Sequence, residues 1–261
     1  MKKLCYCLLG LIGLAVIYSA ATFIYVKIQM RPLPQPLAPQ SEIASLATRP
    51  QVHLVHAVNS VRRAQAKDQD FEGFEVDLNR VNGRLMLAHD EEHFDRAIPL
   101  SALFEAVENP AGKTYWIDLK TDLTPQDIDE LKALAAQFNV SPRRMLFETD
   151  GGETADLLNA AGFPILLKVI DGFGEDGGDA QKRTELNARM TEQLRRYHPF
   201  AIAGSLGKYP ALRAYFPLYN KAIYSATTVR PSLKKKFLKD AMFQDPSVLL
   251  FMQDEYTALP F

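Results

Sequence analysis

The hydrophobic pattern divides the chain into three unequal parts. Leu4–Val26 is a run of 23 residues without a charge, preceded by Lys2 and Lys3 and closed by Lys27. At 1.5 Å per residue, a helix of that length crosses a hydrocarbon layer about 30 Å thick. Ser19, Ala20 and Ala21 are small enough for a signal-peptidase site, yet apolar Phe23, Ile24, Tyr25 and Val26 run on past them. Residues 1–27 are therefore read as an uncleaved transmembrane anchor, with a cleaved signal peptide as the alternative. The lysines in front of the run favour an amino terminus inside and a domain on the extracytoplasmic, periplasmic side. Arg31 to Pro39 then carries four prolines in nine residues, which lock φ and forbid helix, so residues 28–50 read as an extended linker.

From residue 51 to 261 short β-rich runs alternate with longer helical patterns. Strands are expected at Val52–Val58, Phe74–Leu78, Tyr115–Leu119, Met145–Thr149, Ile165–Ile170, Ala201–Leu206, Ala222–Ala226 and Val248–Met252. The clearest helix is Thr124–Asn139, where Thr124 caps, Pro125 occupies the first turn, and Ile128, Leu131, Leu134, Ala135 and Phe138 repeat at helical spacing. Further helices are expected at 100–108, 153–161, 180–197, 209–216 and 233–243. Strict alternation implies parallel strands joined by crossovers, and eight of them imply a compact (β/α)8 TIM barrel with its active site at the C-terminal strand ends. A doubly wound open sheet is the rival fold, but no Gly-x-Gly-x-x-Gly run follows the first strand.

Composition narrows the function classes. The 261 residues are 47% hydrophobic, with 30 Lys and Arg against 31 Asp and Glu, so no basic surface for nucleic acid is expected. The core is large enough to need no disulfide staple, and Cys5 and Cys7 both lie in the anchor.

Charge then appears where it is least expected. A parallel strand covered on both faces normally reads as a continuous apolar run. In Phe74-Glu75-Val76-Asp77-Leu78, period-two alternation turns the apolar residues toward the helices and Glu75 and Asp77 toward the barrel axis. The third strand repeats this, with Ile117 and Leu119 outward and Trp116, Asp118 and Lys120 inward. Glu148 and Lys168 also sit among apolar neighbours on the next two strands and are assigned to substrate binding. Charges gathered at a barrel mouth are costly unless paired or bound to metal. Glu75, Asp77 and Asp118 thus read as an oxygen cage for one divalent cation, Mg²⁺ or Ca²⁺, with Lys120 beside them. A structural ion-pair network is the alternative. His56 ends the first strand and His89 follows the second, so the two flank the acidic cluster as general base and general acid. His53, His93 and His198 lack such neighbours.

At these residues the sequence resembles the superfamily of glycerophosphodiester phosphodiesterases, phosphatidylinositol-specific phospholipases C and sphingomyelinase D-like phospholipases, and its first two strands are similar to the menorin relatives. The order His56, Glu75-x-Asp77, His89-Asp90, Asp118-x-Lys120 carries the resemblance. Where the glycerophosphodiesterases have His-Arg-Gly this chain has His56-Ala57-Val58, and their Glu-x-Lys is here Asp118-x-Lys120. The sphingomyelinase D-like members share the Asp-x-Lys form and an Asn three residues after the first His, here Asn59.

The resemblance implies cleavage of a phosphodiester, with a glycerophosphodiester or (lyso)phospholipid as substrate. A cation held by the three carboxylates would act as Lewis acid, Lys120 would add charge beside phosphorus, and Asn59 would bind phosphate or orient His56. The attacking oxygen is either water, giving hydrolysis, or a substrate hydroxyl, giving a cyclic phosphate. The competing expectation is an anchored binding or scaffold barrel without catalysis, which the absence of Arg at position 57 favours.

Overall fold

The computed structural model describes residues 2–31, 51–174, 179–225 and 232–253. The prolines of the expected linker and residues 175–178 of the acidic, glycine-rich stretch 171–179 lie outside them. Among the described residues, eight parallel strands close into a barrel: β1 (Val52–Val55), β2 (Gly73–Val81), β5 (Thr114–Leu119), β6 (Met145–Thr149), β7 (Ile165–Lys168), β8 (Ala201–Ser205), β9 (Lys221–Ser225) and β10 (Val248–Gln253). Closure is made by β1, which pairs with β10 on one side and β2 on the other. These are the eight strands expected from alternation. The first is shorter than expected: it stops at Val55, because Ala57 takes a left-handed conformation (φ 56°) and turns the chain across the barrel mouth.

A helix and a two-strand excursion escaped the sequence reading. Helix α2 (Val61–Lys67), capped by Ser60, fills the crossover between β1 and β2. The distal half of β2 leaves the barrel and pairs antiparallel with β3 (Arg84–Leu87), which pairs in turn with β4 (Ile98–Pro99). The remaining crossovers are α3 (Leu100–Ala106), α4 (Pro125–Gln137), α5 (Gly152–Ala160), α6 (Ala180–Tyr197), α7 (Tyr209–Tyr215) and α8 (Leu233–Phe243). Helix α4 begins at the expected Thr124 in a capping box with Asp127, and Asp127 also binds Arg80 of β2 at 2.6 Å.

Alternation along the strands produces two apolar layers. Phe74, Val76, Leu78, Ile117 and Phe147 face the helices, whereas Leu54, Trp116, Leu146, Leu166 and Ala203 fill the barrel interior. Below the mouth the interior is therefore apolar, and Glu75 and Asp77, each 2% exposed, sit directly above it.

Helix α1 (Lys2–Gln29) has 28 residues, about 42 Å at the usual rise, and includes an apolar span, Leu11–Gln29, long enough to cross a membrane. Its last turn docks on the barrel: Val26 and Met30 are buried, and Phe23 meets Phe237 of α8 edge-on at 5.4 Å.

Candidate active site

Parallel registry assembles the site. Glu75 pairs with Trp116, and Asp77 with Asp118, whose other neighbour is Glu148. Adjacent strands thus present acids at matching heights on the inner face. One oxygen from each of Glu75, Asp77 and Asp118 lies within 4.8 Å of the others. Two ligands of one cation at 2.3–2.6 Å are at most about 5 Å apart, so this spacing suits a single hard cation with oxygen donors. The three carboxylates therefore converge at the C-terminal ends of their strands.

Lys120 is the positive counterpart. Its Nζ donates to Asp118 Oδ2 at 2.5 Å and pairs with Asp77 Oδ1 at 3.0 Å. Burial opposes its charge, but the two carboxylates outweigh burial and raise its pKa. One lysine does not balance the acids. Glu75 is pushed well above the ordinary carboxylate range by burial, then by the charge of Asp77, and the Ala57 N–H only partly offsets this. Glu148 is raised to about 7 by burial and by Asp118, against the indole N–H of Trp116, which donates to its Oε2 at 2.7 Å. Both shifts come first from burial and then from the neighbouring carboxylates, whose charge a divalent cation would offset. Lys168, half-buried, is held charged by Glu148 and Asp118 despite its own burial.

The loop after β1 closes over this cluster. Val58 N–H donates to the Glu75 carbonyl at 2.8 Å, and Ala57 N–H to Glu75 Oε2 at 2.5 Å. Asn59 uses both ends of its amide on Asp77: Nδ2 donates to Oδ2 at 2.6 Å, and Oδ1 accepts from the backbone N–H at 2.9 Å. Asn59 therefore fixes the Asp77 carboxylate. His56, with a side chain 41% exposed, places Nε2 3.7 Å from Glu75 Oε2. Arg63, one turn into α2, donates to the His56 carbonyl at 2.9 Å and steadies the loop. No sequence pattern marked Arg63, because its role depends on a helix that the periodicity did not reveal.

His89 sits just past the end of β3. It follows Ala88, whose N–H donates to the Asp77 carbonyl at 3.0 Å, so β3 carries it to the rim. Its Nδ1 lies 3.1 Å from Asp90 Oδ2. His93 takes the other oxygen of Asp90, so it has an acidic neighbour that the sequence reading did not assign. The hydrogen bonds from His93 and His89 hold Asp90 below the usual carboxylate range.

No protein-family model matches the chain, and no curated protein does. Solved structures do. A glycerophosphodiester phosphodiesterase from Parabacteroides distasonis superposes with a TM-score of 0.53 at 12% identity, over 78% of this chain and 93% of that one. A phosphodiesterase from Oleispira antarctica, solved with its product sn-glycerol-3-phosphate, gives 0.50 at 12% identity, over 82% and 95%. The barrel shares its (β/α)8 fold with these two phosphodiesterases. In this fold the acidic cluster, the His56 loop and the β3 excursion share the end of the barrel at which (β/α)8 enzymes carry their chemistry.

Proposed function

We propose that the chain is a metal-dependent phosphodiesterase of the glycerophosphodiesterase-like superfamily, acting on a glycerophosphodiester or (lyso)phospholipid. In this reading residues 1–27 anchor it, residues 28–50 link, and residues 51–261 form the catalytic domain on the extracytoplasmic side. The observation that carries the proposal is the convergence of Glu75, Asp77 and Asp118 oxygens within 4.8 Å at the strand ends. Lys120, Asn59 and the Ala57 N–H offset part of the mutual repulsion of the three carboxylates, and a bound cation would offset the rest.

Glu75, Asp77 and Asp118 would hold Mg²⁺ or Ca²⁺. When bound, the cation supplies Lewis-acid polarisation of a phosphoryl oxygen. Lys120, already fixed between two carboxylates, places a second positive charge where negative charge develops on the phosphoryl oxygens. His56 removes or returns a proton on one side of phosphorus, with the Glu75 carboxylate near its Nε2. His89, with Nδ1 directed at Asp90, exchanges the other proton through Nε2. Asn59 holds the Asp77 carboxylate in its orientation, and Glu148 and Lys168 line the inner wall toward the substrate.

The test uses the full chain in detergent, assayed against glycerophosphodiesters and lysophospholipids with Mg²⁺, Ca²⁺ or chelator. Cleavage should require the divalent ion and return on its readdition. His56→Ala and His89→Ala should each lower turnover by about 10²–10⁴-fold with unfolding midpoints close to wild type. Full activity after verified metal removal excludes the metal role, and wild-type turnover in either variant removes that histidine from proton transfer. Metal binding without cleavage across the panel would favour a binding barrel.

A further inference from the structure

The junction of anchor and barrel holds a second polar site. Between the last turns of α1 and the first turns of α6, α7 and α8 lies a cleft of about 440 Å³. Three cations from three separate segments border it: Arg31 just past α1, Arg183 on α6 and Lys234 on α8. Gln29 and Asn187 add amides. Ile28, Phe173 and Leu186 contribute an apolar wall to the same cleft. The cleft lies outside the barrel, and none of the site carboxylates or histidines borders it.

Its depth relative to a bilayer follows from α1. Leu11, Ile12, Leu14, Val16, Ile17 and Ile24 are more than half exposed, as lipid-facing residues of a spanning helix would be. The apolar span ends at Gln29, and Tyr25, Lys27 and Arg31 mark its exit, the mix of aromatic and basic residues found at headgroup level. Lys234 Nζ lies over the Tyr25 ring at 5.5 Å, so a barrel cation is tied to the anchor at that level. Burial of Val26 and Met30 fixes the barrel on the helix, which holds the cleft at the membrane surface.

We propose that this cleft binds the phosphate headgroup of an anionic phospholipid, with Arg31, Arg183 and Lys234 around the phosphate and the acyl chains lying along the exposed face of α1. Cations from three segments lining one cleft, beside apolar residues and an exposed apolar helix, match an amphiphile with an anionic head. A soluble phosphate would not use the wall. The inference depends on α1 spanning a membrane and is independent of the phosphodiesterase reading, so each can fail alone.

The full chain in a neutral detergent is titrated with phosphatidylglycerol or phosphatidylcholine of identical acyl chains. Bound lipid is read by native mass spectrometry and the unfolding midpoint by thermal scan. Phosphatidylglycerol should bind at least about tenfold tighter than phosphatidylcholine and raise the midpoint more. Arg31→Gln, Arg183→Gln and Lys234→Gln combined should reduce the preference to about twofold or less, while the charge-preserving Arg31→Lys, Arg183→Lys and Lys234→Arg combination retains most of it. Equal binding of the two lipids, or an undiminished preference in the glutamine variant, overturns the proposal. Displacement of the lipid by inorganic phosphate alone would assign the cleft to a soluble anion and overturn it too. Should the combined variant not fold, Lys234→Gln is compared with Lys236→Gln, which lies outside the cleft, and only the former should weaken the preference.

Discussion

One partly buried and one fully buried lysine respond to burial in opposite ways, and their neighbours decide which. Lys120 at the barrel mouth lies against Asp77 and Asp118 and stays charged. Lys221, at the opposite end of the barrel, is fully buried and donates to Ser247 Oγ at 2.7 Å and the Tyr219 carbonyl at 2.8 Å, both neutral acceptors. Burial therefore wins over the pull of Asp245, and its pKa falls to about 8. Below pH 8 the folded state carries a charged, desolvated amine. Between about 8 and 10.5 the folded lysine is neutral while the unfolded one still binds a proton, so stability rises with pH in that window. Relative to Lys221→Met, the wild type should gain about 2 kcal/mol between pH 7.5 and 9.5, read from urea unfolding at both pH values. A constant difference would show that Lys221 does not titrate there.

Strand β2 is the element on which the site depends, since it supplies Glu75 and Asp77 and carries β3 with His89. Its first residue, Gly73, faces the narrow junction with β1 and β5, where a Cβ would stand 2.0 Å from the Thr114 carbonyl oxygen and 2.5 Å from Leu54 Cδ2. Thr114 is backbone in the neighbouring strand and cannot step aside. Gly73→Ala should therefore destabilise the fold by on the order of 3 kcal/mol, measured by denaturant unfolding. It should also weaken divalent-ion binding, because Glu75 lies two residues along the displaced strand. An unchanged midpoint would mean that β2 can shift without cost. The strand itself was legible from its alternating acids. Its departure into the β3–β4 excursion was not, because Arg84–Leu87 is too short for periodicity to distinguish from a loop.

For the molecule as a whole, helix α1 is part of the packed structure. Val26 is 1% exposed and Met30 4%, both within the apolar layer that includes α7 and α8. A chain beginning after residue 31 would expose that face, including Phe237. It should lose roughly 2–4 kcal/mol of stability and self-associate, by the area that two apolar side chains remove from water. Unfolding midpoints and light scattering of the two chains check this, and equal stability would make the contact energetically neutral. Docking also means that the barrel sits directly on its helix, although the prolines after Arg31 alone would suggest a domain held away from it.

The sequence by itself determined the elements with strong periodicity: the apolar span, the eight barrel strands and the inward direction of Glu75, Asp77, Asp118 and Lys120. These follow from period-two alternation and chain length, which are local properties. Tertiary structure decided who meets whom. That Asn59 serves Asp77, that Arg63 holds the His56 loop, that His93 shares Asp90 with His89, and that α1 rests on α8 all depend on registry and packing between segments distant in the chain. Such contacts leave no periodic trace, because each is set by the relative placement of two elements and not by the pattern of either one.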